Sequence, residues 1–300
     1  MNFVVDQNSI QMAWKTALKE ILSEKYKSTI EINNISAVSG GSINETFIIS
    51  TNAGKFFVKK NSASLYPEMF EKEALGLQIL SGKSILKVPD VIATGQFENT
   101  AFLILEHIES GKKRSGFWNY FAEGLAQLHK NSADHFGLDH DNYIGSLHQS
   151  NRKQDNWIAF FMTERLEKQL KLARDHGRIG KAVVQSFENF YRALPEIFPI
   201  ESPALVHGDL WGGNYMVDKI GKPVIIDPAV YYGHREMDLG MSQLFGGFDN
   251  EFYDAYNRYY PLEKGWQRRM DYCNLYPLMV HVNLFGGAYL NSVQSILRKF

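Results

Sequence analysis

The sequence predicts an α+β protein in two lobes, a small β-rich N-terminal lobe over residues 1–106 and a larger, mainly helical C-terminal lobe over residues 107–300. Three observations lead to this prediction. The chain has 300 residues, and a typical domain holds about 100–200, so two folding units are expected. Strand-like runs dominate up to residue 105, and long helical patterns follow. A polar, glycine-bounded connector at residues 111–116 follows the change in pattern.

The N-terminal lobe is predicted to be a sheet with two helices. Apolar residues at helical spacing predict a helix over 12–25, and a second helix over 68–80 follows Pro67, a residue suited to a helix start. Short apolar runs bounded by turn residues predict strands at 31–38, 46–49, 56–59, 91–96 and 101–105.

The C-terminal lobe is predicted to be mostly helical. Helical patterns cover 117–129, 156–175, 181–194 and 237–245, and a Tyr-rich helical tail runs from 249 to the end. Two short apolar runs, at 204–206 and 224–226, interrupt the helices, and each leads directly into an acidic motif. Strands that lead into carboxylates within a helical lobe indicate a candidate active site.

Composition and charge exclude several classes of protein. With 32 basic and 33 acidic residues the net charge is −1, without the basic excess that nucleic-acid binders show. No run of about 18 apolar residues predicts a membrane span, and no secretory signal pattern is visible. The single cysteine, Cys273, cannot form an intramolecular disulfide. We therefore expect a cytoplasmic protein with neither nucleic-acid nor membrane partners.

Two acidic motifs point to phosphoryl transfer. The first is HGDLWGGN at 207–214, and the second is DPA at 227–229. Phosphoryl transfer needs a carboxylate that takes the proton of the attacking hydroxyl, and oxygen ligands that hold Mg²⁺ against the nucleotide phosphates. Asp209 and Asn214 on one loop, with Asp227 at a strand end, supply both functions. Each residue alone would be an ordinary turn residue, but the two motifs occur in order and each follows a strand.

A lysine and a glutamate in the N-terminal lobe support the same chemistry. Lys59 lies on a half-buried strand, and Glu73 lies on the apolar face of the following helix. A carboxylate turned toward a core is unfavourable unless it meets a cation, and Lys59 is the nearest suitable one. In this arrangement a glutamate directs a lysine to the α- and β-phosphates of ATP. The rival Lys60 points to the opposite face.

A glycine turn precedes this lysine. Residues 39–44 lie between two strands, and Gly40, Gly41 and Ser42 would let backbone N–H groups approach phosphates closely. A Gly-Gly turn is common in hairpins, so this turn gains weight only from its position upstream of Lys59 and Glu73.

Taken together, the motifs resemble the protein-kinase-like superfamily on its small-molecule kinase branch, and more closely the fructosamine/ketosamine-3-kinase family. The resemblance covers nearly the whole chain. The segments that carry it are FVK at 57–59, MFEKE at 69–73, FF at 160–161, RL at 165–166, QL at 169–170, HGDLWGGN, DPA, YGHRE at 232–236, FGGF at 245–248 and FGGAY at 285–289. The residues LWGG inside the first motif, at 210–213, and the FGGF element point to the ketosamine family rather than to aminoglycoside or choline kinases.

The resemblance implies a reaction and a set of roles. The γ-phosphate of ATP would pass to the C3 hydroxyl of a ketosamine, a sugar joined by glycation to a free or protein-bound amine. Asp209 would be the catalytic base, Asn214 and Asp227 the Mg²⁺ ligands, and Lys59 the phosphate clamp, oriented by Glu73. Deglycation of the amine would follow.

Further site residues are expected around this centre. The adenine of ATP would lie near Glu106 and Ile108, where the lobes join. Trp211 is a candidate wall for the sugar, because aromatic faces pack against sugar C–H surfaces. His234 and Glu236 are candidates either for substrate contact or for bracing the loop. The neighbouring Asp238 is expected to brace it.

Two other functions remain open at this point. The same chemistry on an aminoglycoside or a choline-like alcohol needs the same catalytic residues. A nucleotide-binding pseudokinase would instead lack one of them, and Lys59, Asp209, Asn214 and Asp227 are all present. The chain has DPA where protein kinases have DFG, and its glycine turn is not GxGxxG.

Overall fold

The structure, a computed structural model, describes residues 7–38 and 43–300. Its N-terminal elements are, in chain order, α1 (Gln7–Tyr26), β1 (Ile32–Val38), β2 (Glu45–Thr51), β3 (Gly54–Ser62), α2 (Met69–Lys83), β4 (Val91–Phe97) and β5 (Thr100–Glu106). The strands form one antiparallel sheet in the order β1-β2-β3-β5-β4. All the predicted strands are present. Helix α1 begins at Gln7 instead of residue 12, and α2 begins at Met69.

Strand β5 of the small sheet is covered on both faces, with α1 on one side and α2 on the other. Phe102 and Ile104 of β5 belong to the core beneath α1, whereas Leu103 and Leu105 belong to the core that contains α2. Alternate residues of a strand point to opposite faces, so a strand covered on both sides is apolar throughout. This explains the continuous apolar run at the predicted strand 101–105.

The remaining elements form the helical part. They are α3 (Phe117–His129), β6 (Asn142–Ile144), β7 (Leu147–Gln149), α4 (Trp157–Phe160), a π-helix (Phe161–Leu166), α5 (Glu167–Asp175), α6 (Lys181–Ile197), β8 (Ala204–Val206), β9 (Tyr215–Val217), β10 (Pro223–Ile225), β11 (Tyr231–Gly233), α7 (Glu236–Leu244), α8 (Asn250–Tyr259), α9 (Trp266–Cys273), α10 (Leu275–Phe285) and α11 (Ala288–Leu297). Three two-stranded ladders pair β6 with β7, β8 with β11, and β9 with β10.

The structure corrects the predicted helices at two places. The single helix expected over 156–175 contains a π-helical turn at Phe161–Leu166, which apolar periodicity does not distinguish from an α-helix. The helical tail from residue 249 is four separate helices. The β6–β7 hairpin was not predicted, because its sequence, NYIGSLHQ at 142–149, has little of the apolar alternation that marks a strand.

The short strands place both acidic motifs at one location. Strand β8 ends at Val206, directly before HGDLWGGN, and β10 ends at Ile225, shortly before DPA. All three residues of each of these strands are buried, so the strands anchor the loops in the core. Among the described residues, no helix is both long and apolar enough to cross a membrane.

Candidate active site

Asp238 fixes the backbone of the first motif. Its buried carboxylate accepts hydrogen bonds from the N–H groups of His207, at 2.7 Å, and Gly208, at 2.9 Å, and it contacts the ring Nε2 of His129 at 3.0 Å. Gly208 has φ +84°, and a Cβ there would collide with the carbonyl oxygen of Ala229. The loop therefore requires glycine at this position, and Asp238 braces it as the sequence predicts.

His207 has a structural role beside the Asp209 carboxylate. The residue is fully buried, and burial lowers the pKa of its ring, which keeps the ring neutral. We assign the Nε2 proton from the hydrogen bond to the carbonyl of Ile226, at 2.9 Å. Its Nδ1 then accepts the backbone N–H of Asp209 at 3.3 Å. The ring thus links the backbone N–H of Asp209 to the carbonyl of Ile226, directly before Asp227.

Asp209 and Asn214 are in direct contact across the loop. The Asn214 amide donates to the carbonyl and to the carboxylate of Asp209, at 2.8 Å each. Burial and the nearby Asp227 carboxylate raise the pKa of Asp209 to about 7, against the effect of the Asn214 hydrogen bond. A carboxylate with its pKa near neutrality is suited to accept a proton from a substrate hydroxyl.

Lys59 joins the two halves of the site. Its ammonium lies 2.7 Å from the carboxylate of Glu73 on α2 and 2.5 Å from that of Asp227. Burial disfavours its charge, but Asp227 and Glu73 together raise the pKa of Lys59 above its ordinary value. The predicted pairing of Lys59 with Glu73 is therefore present in the structure. Lys60 is paired elsewhere, with Glu45 at 3.1 Å.

Asp227 is held in an unusual backbone conformation. Its φ is +55°, which side-chain-bearing residues seldom adopt. The Asn214 amide lies 3.4 Å from the carbonyl of Asp227, and the Asp227 side chain is 44% exposed. Strain of this kind is common at functional sites, where the surrounding structure maintains it.

A cavity of about 370 Å³ opens beside these residues. The predicted residues Lys59, Glu73, Asp209, Asn214, Asp227 and Trp211 all contribute to its lining. A second group of lining residues, mostly aromatic, was given no role in the sequence prediction: Tyr143, Phe245, His281, Phe285 and Tyr289. Ring contacts connect them, with His281 4.8 Å from Phe245 and 4.9 Å from Tyr289. The cavity thus has an acidic end and an aromatic end.

The two glycine-rich motifs of the large lobe pack against one another. A Cβ on Gly212 would lie 2.7 Å from the carbonyl oxygen of Gly246, and one on Gly247 would lie 2.9 Å from Cα of Gly212. The Tyr215 hydroxyl donates to the carbonyl of Gly247 at 3.0 Å. This close approach explains why LWGG and FGGF occur together. It also brings Phe245 beside Trp211, with ring centroids 5.8 Å apart.

Two predicted substrate residues lie elsewhere. His234 has no exposed surface and is packed between the rings of Trp157 and Phe198. Glu236 also has no exposed surface and pairs with Arg269 through two contacts of 2.6 and 2.7 Å. Because neither side chain reaches the cavity, the substrate role was wrong for both. Bracing, the other role considered for them, agrees with their positions.

The structure describes only some of the residues that are predicted to contact the nucleotide. Glu106 ends β5 and accepts a hydrogen bond from Lys87 at 2.5 Å, and Ile108 is buried. Neither residue lines the 370 Å³ cavity, so adenine binding beside them stays a prediction. Gly40, Gly41 and Ser42 lie outside the described residues.

Comparison with known proteins identifies the family. The family model described as fructosamine kinase matches residues 13–300. The chain belongs to the fructosamine kinase family. It is therefore an ATP-dependent phosphotransferase that acts on a hydroxyl of ketosamines, and its fold is the protein-kinase-like fold of small-molecule kinases.

Individual relatives match along nearly their full length. The chain is 41% identical to a "Probable ketoamine kinase" of Enterococcus faecium over 276 residues, 91% of this chain and 98% of the relative. It is 39% identical to the chloroplastic protein-ribulosamine 3-kinase of Arabidopsis thaliana over 285 residues, 93% of this chain and 86% of the relative.

Solved structures agree with this assignment. The crystal structure of a "Putative fructosamine-3-kinase" from Haemophilus somnus has a TM-score of 0.86 at 31% identity, over 97% of this chain and 98% of that one. A spectinomycin phosphotransferase, a choline/ethanolamine kinase family protein and an ethanolamine kinase, at 13–16% identity, share the fold alone. The family assignment thus favours a ketosamine acceptor over the alternative alcohols, and the presence of every catalytic residue argues against a pseudokinase.

Proposed function

We propose that this enzyme phosphorylates the C3 hydroxyl of a ribulosamine or fructosamine, with Asp209 as the catalytic base. The convergence of Asp209, Asp227 and Lys59 on one cavity is the observation that carries the proposal. A C3 hydroxyl beside Asp209 would give its proton to the carboxylate as the oxygen attacks the γ-phosphorus, and the bond from that phosphorus to the bridging oxygen of ATP would break, releasing ADP. The raised pKa of Asp209, about 7, makes the ionised carboxylate basic enough to take that proton.

The acidic end of the cavity suits Mg²⁺. Magnesium prefers oxygen ligands, and the Asn214 amide points its nitrogen at Asp209, which leaves its oxygen as a ligand. The Asp227 carboxylate is partly exposed and supplies a second ligand. When bound, Mg²⁺ would offset the negative charge of the phosphates. Lys59, held by Glu73, would orient the same phosphates.

The aromatic end of the cavity suits the sugar. Trp211 is 36% exposed and lies two residues after Asp209 in the chain, with Phe245 beside it. Apolar ring faces can pack on sugar C–H groups while Asp209 reaches a hydroxyl. Phe285 at the same end is 56% exposed, which leaves room for an amine that carries a longer chain. We therefore propose that protein-bound ketosamines are accepted as well as free ones, as the name of the Arabidopsis relative suggests.

We further propose that the protein acts in the cytoplasm, and we propose a position for the boundary between the lobes. The cytoplasm supplies the ATP and Mg²⁺ that a kinase of this kind needs. The net charge of −1 supports a small or protein-bound amine over a nucleic acid as partner. The boundary between the lobes is proposed between Glu106 and His107, because β5 ends at Glu106 and the helical elements follow.

The biological role we propose is deglycation. A ketosamine has nitrogen on C1 and a carbonyl at C2, so it can enolise toward C1. The enaminol can then expel a group from C3, and phosphate leaves far more readily than hydroxide. Water hydrolyses the resulting imine, which frees the amine and leaves a dicarbonyl sugar. The enzyme would need to supply the phosphoryl transfer alone.

A product-stability experiment tests this role. Fructose-lysine and ribulose-lysine are phosphorylated with ATP and Mg²⁺, the enzyme is removed, and free lysine and inorganic phosphate are followed over hours. We expect both to appear at equal rates. The control is the analogue whose C2 carbonyl is reduced to an alcohol, which cannot enolise, so any phosphate ester formed on it should persist. An intact ketosamine product would contradict the repair role, and absence of phosphorylation would contradict the ketosamine assignment.

A further inference from the structure

Arg165, part of a family motif with no role so far, is a buried cation without a carboxylate partner. It lies in the π-helix and has no exposed surface. Within residues 7–38 and 43–300, no ion pair joins it to an acid. Aromatic rings surround its guanidinium carbon instead, with Tyr231 at 3.9 Å and Phe160 at 4.5 Å. Burying a charge without a counter-charge lowers the stability of the fold. A buried guanidinium of this kind is therefore expected to have a function.

The guanidinium binds the segment that follows the β6–β7 hairpin. Its Nη1 donates to the carbonyl of Ser150 at 2.5 Å, and its Nη2 donates to Oδ1 of Asn151 at 2.8 Å. The Asn151 amide in turn donates to Oδ1 of Asn142 at 3.0 Å. Gln149 donates to the same oxygen at 2.8 Å. Arg165 is thus the cationic end of a chain of amides that runs into the hairpin.

The other end of this chain reaches the active site. The Asn142 amide donates to the carbonyl of Val230 at 2.9 Å, and that of Gln149 donates to the carbonyl of Ala229 at 3.0 Å. Both carbonyls belong to the segment that follows Asp227. Asn142 also lines the cavity together with the next three residues of the hairpin, 143–145. The hairpin is therefore one wall of the cavity that contains Asp209.

We propose that Arg165 is a positioning residue for the ketosamine, acting through the β6–β7 hairpin. This inference rests on the proposed function. The guanidinium holds Ser150 and Asn151, Asn151 holds Asn142, and Asn142 holds the cavity wall against the segment after Asp227. A small displacement of a substrate-positioning wall can cost about a hundredfold in rate, which explains why an unpaired cation is retained here. π-helical turns are frequent at functional sites, and this one presents Arg165 to the hairpin.

The hydrogen-bond network around the hairpin depends on the planar geometry of the Arg165 guanidinium as well as on its charge. Two guanidinium nitrogens donate to acceptors on consecutive residues while the plane lies near the Tyr231 ring. A lysine ammonium has no such fixed fork and does not stack in this way. Arg165→Lys therefore keeps the positive charge and removes the geometry.

The test compares Arg165→Lys and Asn151→Ala with a neighbouring control. Arg152→Lys is the control, because Arg152 contacts Glu164 next to Arg165 but is 71% exposed and outside the amide chain. The KM for fructose-lysine at saturating ATP and the Kd for Mg²⁺–ATP are measured for each variant. Neither constant depends on the fraction of enzyme that is folded, so loss of folded protein alone changes neither.

We expect both network variants to raise the KM for fructose-lysine about tenfold or more, with the Kd for Mg²⁺–ATP unchanged within about twofold. The double variant should be little worse than either single one, since both break the same chain. The control should keep both constants. Unchanged KM values in the network variants, even with a lower melting temperature, would make Arg165 a packing residue and overturn the proposal. A wild-type enzyme inactive on both fructose-lysine and ribulose-lysine would instead overturn the proposed function.

Discussion

Asp209 carries a charge that its surroundings oppose. The carboxylate is partly buried and near Asp227, and these two influences raise its pKa to about 7. The Asn214 amide partly offsets them with a 2.8 Å hydrogen bond. A base of this kind is ionised near neutral pH and also binds a proton strongly enough to assist the attacking hydroxyl. The loop that holds it is fixed by Asp238 and His207, so the geometry does not depend on the charge of Asp209 itself.

The pH profile tests this residue. Protonated Asp209 cannot act as a base, so kcat/KM for the ketosamine should fall as the pH drops through about 7, with the slope of a single protonation. Asp209→Asn should lower kcat by about 10²–10⁴-fold, leave Mg²⁺–ATP binding nearly unchanged, and remove this limb from any residual activity. Steady-state kinetics and a nucleotide-binding titration measure these effects. Near-wild-type turnover in the variant would remove Asp209 from the mechanism.

At the scale of elements, the site depends on how β3 and α2 meet the large lobe. Strand β3 presents Lys59, α2 presents Glu73, and the segment after β10 presents Asp227. Lys59 and Glu73 are 14 residues apart in the chain, whereas Lys59 and Asp227 are 168 apart. The lysine is thus shared between a local and a distant carboxylate.

A double-mutant cycle tests this coupling. Lys59→Met should cripple turnover, because the phosphates lose their orienting charge, and Glu73→Gln should impair it through the same lysine. The double variant should be little slower than Lys59→Met alone. Glu71→Gln, on the exposed side of α2, is the matched control and should keep near-full activity. Losses of kcat that multiply in the double variant would show that Glu73 acts independently of Lys59.

At the scale of the whole molecule, the two parts are joined by a common core and by the charged residues of the site. One apolar cluster includes Phe70 and Leu103 of the sheet region together with Phe121 and Leu205 of the helical region. Lys59 and Asp227 form an ion pair across the same junction. A nucleotide with its Mg²⁺ would contact residues from both parts, so binding should stabilise the molecule as a unit.

Thermal unfolding tests this expectation. A ligand at about a hundred times its Kd stabilises by about 2.7 kcal/mol, which for a chain of this size is a rise in Tm of about 5 °C. We expect that rise with ATP and Mg²⁺ and a much smaller one after chelation of the metal. Asp227→Asn should lose the Mg²⁺-dependent part, and Asp254→Asn, an exposed acid on α8, should keep it. Equal rises with and without Mg²⁺ would contradict the assignment of Asp227 as a metal ligand.

Local pattern was enough to find most of the secondary structure and the chemical motifs. The strands of the small sheet, helix α3 and the positions of Asp209, Asn214 and Asp227 follow from periodicity, turn residues and spacing, which short stretches of sequence contain. The pairing of Lys59 with Glu73 was also predictable, because an inward-facing glutamate needs a nearby cation. The resemblance to a family then supplied the substrate, which no pattern of periodicity contains.

Contacts between distant segments decided the rest. His234 and Glu236 looked like substrate residues because they lie in a family motif, yet long-range packing buries them against Phe198 and Arg269. The aromatic end of the cavity combines Trp211, Phe245 and His281, and the role of Arg165 depends on a hairpin with little strand signal. Burial, a raised pKa and the closing of a cavity arise from residues far apart in the chain, so only the folded chain determines them.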